Sequence, residues 1–199
     1  MAFEQLKKTL EANGFAVSVF ETGAEAAAYL NAAIDGKSVG CGGSMTLKDL
    51  GLYDSLGQHN TLYYHGLSAD PRTAMRSAMT ADVYLLSANA IAENTGEILS
   101  IDGTGNRVAS SLFGHEKVYF VAGRNKVSPD FDSALWRLRN VVAPKNAQRL
   151  HRKTPCAAKA DKCYNCSSPE RICNALVVHY KKMNSMDMEV VLVNEDLGY

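Results

Sequence analysis

The feature that most restricts this chain is its rhythm. Short apolar runs rich in β-favouring residues alternate with segments of helical periodicity along most of the sequence. Strands are expected at 15–20, 38–40, 61–64, 82–87, 96–101, 117–122, 176–180 and 188–193. Helices are expected at 3–13, 24–34, 47–57, 71–80, 108–113 and 130–142. In the first helix Phe3, Leu6 and Leu10 share a face, and Asn13-Gly14 supplies the stop. The run from Asp82 to Ser87 is too continuously apolar to have a wet face, as in a strand covered on both sides. Pro144 cannot donate a backbone hydrogen bond and is expected to end the last helix. Strands alternating with helices predict an α/β protein: an open, mostly parallel sheet with helices on both faces. One such domain over 1–199 is expected, carrying a cysteine-rich segment at 153–175. Sheets of this kind hold ligands at the carboxyl ends of their strands.

Composition narrows the function classes. With 21 basic and 21 acidic residues the net charge is zero. No electrostatic footprint therefore favours nucleic acid or an anionic membrane. The 46% hydrophobic and 21% charged residues are ordinary for a soluble globular protein. No run approaches the roughly 18 apolar residues of a membrane span, and the amphipathic N-terminus lacks a signal-peptide core. A cytoplasmic location is expected, where thiols stay reduced. Homo-oligomerisation stays open.

Four of the five cysteines, Cys156, Cys163, Cys166 and Cys173, fall within one short stretch, spaced C-x6-C-x2-C-x6-C. Clustered thiols in a reducing compartment read better as metal ligands than as disulfides. A polar segment of this length has little else to order it, and a bound metal supplies the reason. Spaced single cysteines around one C-x2-C favour an iron–sulfur cluster, of the [4Fe–4S] type, over zinc, which is the alternative. Free thiols are the plainer reading. The fifth cysteine, Cys41, reads as a small core residue rather than a nucleophile.

Three loops that follow expected strands carry the remaining polar candidates. In Gly40-Cys41-Gly42-Gly43-Ser44-Met45-Thr46, glycines allow close backbone approach to a ligand, and Ser44 or Thr46 can cap the next helix. The free amides there suit a phosphate or carboxylate, although a glycine turn with an ordinary cap has the same composition. In Asn89-Ala90-Ile91-Ala92-Glu93-Asn94-Thr95-Gly96-Glu97, Glu93 is a candidate general base or carboxylate nucleophile, and Asn89 and Asn94 can orient a carbonyl. The same residues also suit a plain turn. Arg107, Arg124 and Lys126, with Asn125 beside them, are candidates for pairing an anion. Asp102 can instead hold Arg107 in a structural ion pair. The histidines show no metal-ligand spacing and read as surface or core residues.

Taken together, Gly40–Thr46, Asn89–Glu97, Asp102-Gly103-Thr104-Gly105-Asn106-Arg107 and Gly123-Arg124-Asn125-Lys126 resemble the lactate-utilisation (LUD, LutC-like) family. The tail from Pro155-Cys156 to Cys173-Asn174 is similar to that of its single-domain, cysteine-bearing members. The resemblance implies a fold of the NagB/RpiA/CoA-transferase type, shared by glucosamine-phosphate deaminases, ribose-phosphate isomerases and CoA transferases. It also implies a link to oxidation of lactate or a related 2-hydroxy acid, in which family members work beside iron–sulfur subunits. On this reading the loops bind a small anionic metabolite, and the protein is a redox protein or redox subunit. The thiolate site is a departure from a plain LutC-like subunit. The alternative is a CoA-transferase-like or sugar-phosphate-isomerase-like enzyme with a structural zinc. Glu93-Asn94-Thr95-Gly96 loosely resembles the loop in which CoA transferases keep a nucleophilic glutamate.

Overall fold

A computed structural model describes residues 3–199. The first half follows the expected alternation: α1 (Glu4–Ala12), β1 (Ala16–Phe20), α2 (Gly23–Ala33) and β2 (Ser38–Cys41). After β2 the expected helix is split into α3 (Met45–Asp49) and α4 (Leu52–Leu56). The break falls at Gly51, whose φ of 64° is left-handed and open to glycine. β3 (Thr61–Tyr64), α5 (Pro71–Ala78) and β4 (Val83–Leu86) complete this half.

The main sheet has six strands. These are β1, β2, β3 and β4, joined by β7 (Lys117–Gly123) and β10 (Asp187–Val193). All pairings are parallel, in the order β1-β10-β7-β4-β2-β3. The two faces bury different side chains, as the two-residue strand period requires. Val83, Leu85, Tyr119 and Val121 pack with Leu30, Leu47 and Leu56 from α2, α3 and α4. Tyr84, Leu86, Val118 and Phe120 point the other way, onto Leu6 and Leu10 of α1. On that second face Gly40 is required. A Cβ there would lie 2.4 Å from the Ala78 carbonyl oxygen, so only glycine lets α5 approach. Among the described residues no helix is long and apolar enough to cross a membrane.

A second sheet was not foreshadowed. It is built from β5 (Ala90–Ala92), β6 (Ile98–Asp102), β8 (Val127–Ser128) and β9 (Ala175–His179), in the order β8-β5-β6-β9. The stretch 88–95, expected as a polar loop, thus contains a strand. Alanine is a weak β-former, so Ala90-Ile91-Ala92 carries little strand signal, and its assignment comes from tertiary burial. Ile91 and Ile98 face the main sheet. Ala90, Ala92 and Leu99 face Ala134 and Leu138. The second sheet is therefore sandwiched between the main sheet and α7 (Phe131–Arg137).

Helical structure does not end at Pro144. The chain widens into a π-helical turn over Leu138–Val142 and continues as α8 (Ala143–Arg149). Pro144 then lies in the first turn of α8, directly after the π-helical turn. A short helix α6 (Asn106–Ser110) follows β6, and α9 (Pro155–Lys159) carries Cys156.

Candidate functional site

The carboxyl ends of β2, β4 and β7 meet the end of β6 around a cavity of about 290 Å³. Gly43, Ser44, Thr46, Asn89, Arg107 and Lys126 all line it. Residues of all three candidate loops meet here, although the second contributes only its Asn89 end and the third only Lys126, and the turn around Asp102–Arg107 joins them. Arg149 and Arg152 add two more cations to the wall, and Asp102 is its acidic side chain. The lining is thus cationic in a chain of zero net charge.

Arg107 is the frame of the cavity. Its Nη1 donates to the Ser87 carbonyl (2.9 Å), and its Nη2 donates to Asn89 Oδ1 (3.1 Å) and the Ile101 carbonyl (2.7 Å). Its Nε pairs with Asp102 Oδ2 at 3.4 Å, with the two side chains only 11% and 10% exposed. The other oxygen of Asp102 accepts the Thr104 and Gly105 amides, each at 3.0 Å. One guanidinium therefore ties the end of the main sheet to the second sheet and to the 102–105 turn. The structural ion pair considered from the sequence is present. Gly42 serves the same purpose from below: a Cβ there would sit 2.9 Å from Arg107 Cγ.

Lys126 is different. It lies on a 3-10 turn, Arg124–Lys126, directly after β7, and is only 4% exposed. No hydrogen bond or ion pair reaches its Nζ from the described residues. Burial first, then the Arg137 and Arg107 charges, pull its ammonium down to about 7, against the raising effect of Asp49. A buried, unpaired amine in a cavity wall is an unusual arrangement, because burying a charge without a partner is costly.

The other polar groups are held by the protein. Ser44 caps α3 by accepting the Leu47 amide (3.2 Å), and its own amide donates to the Tyr53 hydroxyl (2.9 Å). Thr46 is buried, with its hydroxyl 3.2 Å from Ser87 Oγ and donating to the Leu197 carbonyl at 3.3 Å. Asn89 Oδ1 also accepts the Ile101 amide at 2.8 Å.

The remaining sequence candidates lie outside the cavity. Asn125 clamps the C-terminal tail, donating to the Leu197 carbonyl (3.3 Å) and accepting its amide (3.1 Å). Arg124 makes an exposed ion pair with Asp196 at 2.9 Å. Glu93 and Asn94 are on the hairpin at the opposite end of β5 from Asn89, where their amides donate to the Ser128 and Pro129 carbonyls. Next to them the Thr95 carbonyl accepts from Asn13, just past α1. Cys41 is a core residue, 2% exposed, with burial pushing its thiol up to about 12.

Several residues that shape the site were not singled out from the sequence. Arg137 of α7 donates to the Asn125 carbonyl (2.7 Å) and the Asn89 carbonyl (3.4 Å), bridging two of the loops. His65 lines the cavity, and its buried Nδ1 has no partner among the described residues. Burial lowers its basicity. Tyr199 also reaches the lining. It is brought there by the tail, where the Gly198 amide donates to Asp49 Oδ2 at 3.0 Å. Arg137 on a helix and Tyr199 on the tail have no local spacing signal, so only the fold assembles them, whereas His65 directly follows β3 and could have been found as a polar residue after a strand.

The cysteine segment forms part of the same wall. Ile172, next to Cys173, lines the cavity and lies against Gly103, where a Cβ would be 3.0 Å from Ile172 Cα. Asn174 donates to the Asp102 carbonyl (2.9 Å) through its amide and to the Gly103 carbonyl (3.0 Å) through its side chain. All four clustered cysteines are free and partly buried. Donors point at their sulfurs: the Asn165 amide at Cys163 Sγ (3.3 Å), Arg139 at the same sulfur (3.7 Å) and Arg171 Nε at Cys173 Sγ (3.2 Å). The thiolate is the form that binds metals. In donor chemistry the set fits a thiolate-held metal. In geometry it is open: among the described residues no three Cys, His, Asp or Glu side chains converge closely enough to hold an ion.

Fold and site together define an α/β protein with a cation-lined cavity at the strand ends of a parallel sheet. The chain belongs to the LUD domain family, whose model matches residues 3–193. No curated protein matches it. Among solved structures it is similar to a DUF162 family protein from Deinococcus radiodurans, determined at 1.70 Å, with a TM-score of 0.54 and 13% identity. That likeness covers 95% of this chain and 94% of the other, and at this identity it speaks for the fold.

Proposed function

We propose that this LUD-domain protein binds a small carboxylate of the 2-hydroxy or 2-oxo acid class, such as lactate or pyruvate, in the strand-end cavity. On this reading it is a redox protein, or the subunit of a redox complex, in the metabolism of such acids. The observation that carries the binding is Lys126, a buried amine with no partner among the described residues, in a wall that also holds Arg149 and Arg152. An entering acid would pair its carboxylate with these arginines and offer its 2-hydroxy or 2-oxo oxygen as the partner that the amine lacks. Arg107 positions the loops rather than contacting the ligand with its whole guanidinium, since most of its donors are spent on the protein. Glu93 has no part in this reading, because it lies outside the cavity lining.

Cys156, Cys163, Cys166 and Cys173 would hold an iron–sulfur cluster, with the Arg139, Arg171 and Asn165 donors hydrogen-bonded to two of these sulfurs, those of Cys163 and Cys173. A bound cluster supplies one-electron transfer. The shared wall at Ile172 would place that cluster beside the acid. Anaerobically purified protein is expected to be brown and to contain iron and acid-labile sulfide. A colourless protein with one zinc per chain would remove the redox half of the proposal.

Calorimetric titration tests the binding half. Lactate or pyruvate should bind saturably, and Lys126→Met should weaken binding about 10- to 100-fold, from about 1.5–3 kcal/mol for a hydrogen bond to a charged group. Absence of saturable binding, or unchanged affinity in the variant, would contradict it.

A further inference from the structure

A lysine used only as a fixed cation is normally solvated or paired with a carboxylate. Lys126 is neither, being 4% exposed and without a hydrogen bond or ion pair among the described residues. The acid whose charge acts on it, Asp49, uses Oδ2 to accept the Gly198 amide. The charges on its other side, Arg107 and Arg137, are held in place by Asp102 and by the carbonyls of Ser87, Ile101, Asn125 and Asn89. This surrounding favours a neutral, nucleophilic amine opening onto a cavity whose other cations can seat a carboxylate.

We propose that Lys126 is a catalytic residue that forms an imine with the carbonyl carbon of a 2-oxo carboxylate. The proposal rests on the cavity being the acid site and adds covalent chemistry to it. In the addition step the Nζ lone pair forms the C–N bond, and the C=O π pair moves onto oxygen. A proton passes from nitrogen to that oxygen, giving the carbinolamine. The carbinolamine then loses its hydroxyl with one further proton as water, and the nitrogen lone pair closes the C=N bond. Amine and 2-oxo acid thus give imine and water, with no oxidant or reductant consumed. The pull of the site on the Lys126 ammonium, to about 7, keeps much of the amine free at neutral pH. The imine, once protonated, withdraws electrons from the adjacent carbon. A carboxylate held by Arg149 or Arg152 would orient the carbonyl, which restricts the substrate class to 2-oxo acids rather than simple aldehydes or ketones.

The test is reductive trapping on the full chain. Protein is incubated with pyruvate and sodium cyanoborohydride at neutral pH, and its peptides are analysed by mass spectrometry. The expected result is one 1-carboxyethyl group per chain, on Lys126, suppressed by excess lactate, which has no ketone carbonyl. Lys126→Arg and Lys126→Met, each checked by thermal melting, should lose the adduct while keeping the fold. Labelling of Lys126 no faster than the exposed Lys145 and Lys153, or full site labelling in the Lys126 variants, overturns the inference. Saturable lactate binding without a Lys126 adduct would overturn the imine and leave the acid site standing. Failure of both lactate and pyruvate to bind would remove the acid site as well.

Discussion

The cavity at the strand ends and the cysteine segment beside it meet at Ile172, yet they are held in different ways. Around the cavity, position is set from inside the fold. Arg107, Asp102, Asn89 and Arg137 join the two sheets through charge-assisted hydrogen bonds, and the backbone acceptors, the carbonyls of Ser87, Asn89 and Ile101, lie in or directly beside β4, β5 and β6. The cysteine segment beyond α9 has no regular element before β9. Two of its residues, Ala160 and Asn165, adopt left-handed φ values of 51° and 45°. Apart from the Asn174 amide on the Asp102 carbonyl, its ties to the body are mostly side-chain bonds, such as those of Asn140 and Arg139 to Cys163 and of Asn174 to Gly103. A site that must present fixed charges to a small acid is built on the rigid frame, and a site that folds around an ion can be left to the ion.

The largest expected effect comes from breaking the frame. Arg107→Met leaves Asp102 buried without its partner and frees three carbonyl or amide acceptors. Denaturant unfolding should show a loss of about 3–5 kcal/mol, accompanied by loss of acid binding. Equal stability to the parent would show that the cavity is not organised by this residue. Next comes the metal. Chelation should open the segment at 153–175 to limited proteolysis while the body stays intact, because binding energy is folding energy only where the ion orders the chain. Cleavage spread through the main sheet would erase the distinction between the two regions. The smallest effect is expected at Arg124, whose pair with Asp196 is exposed. Arg124→Ala should cost at most about 1 kcal/mol and leave acid affinity within about twofold. A large loss of binding there would move the site toward the tail.

Much of this was legible beforehand, and the failures have physical causes. Five of the six strands of the main sheet announce themselves as runs rich in β-branched, aromatic or leucine residues between turn residues, and the sixth, Ser38–Cys41, is marked by the glycine-rich loop that follows it. The second sheet does not, since Ala90–Ala92 becomes a strand only by packing against α7 and the main sheet. Pro144 misled because a π turn shifts the hydrogen-bond register just before it, an adjustment with no local sequence mark. In the site, Gly43, Ser44, Thr46, Asn89, Arg107 and Lys126 were visible as polar residues after strands. Arg124 and Asn125 share that signal, and the single turn that buries Lys126 points them elsewhere. Arg137 and Arg149 come from helices with their own periodicity, where a functional side chain looks like any other polar position, whereas His65 directly follows β3 and carried the same signal as Lys126. The cysteine segment is adjacent to the cavity rather than a remote attachment, a relation set by the docking of Asn174 on the 102–103 turn.

The most direct test of the central claim is a crystal structure of the protein soaked with lactate or pyruvate at saturating concentration. The account predicts the acid inside the strand-end cavity, with a carboxylate or carbonyl-derived atom within hydrogen-bonding or bonding distance of Lys126 Nζ. An acid seated on the Glu93 hairpin, or a cavity that stays free of it while the protein binds it in solution, would contradict the account.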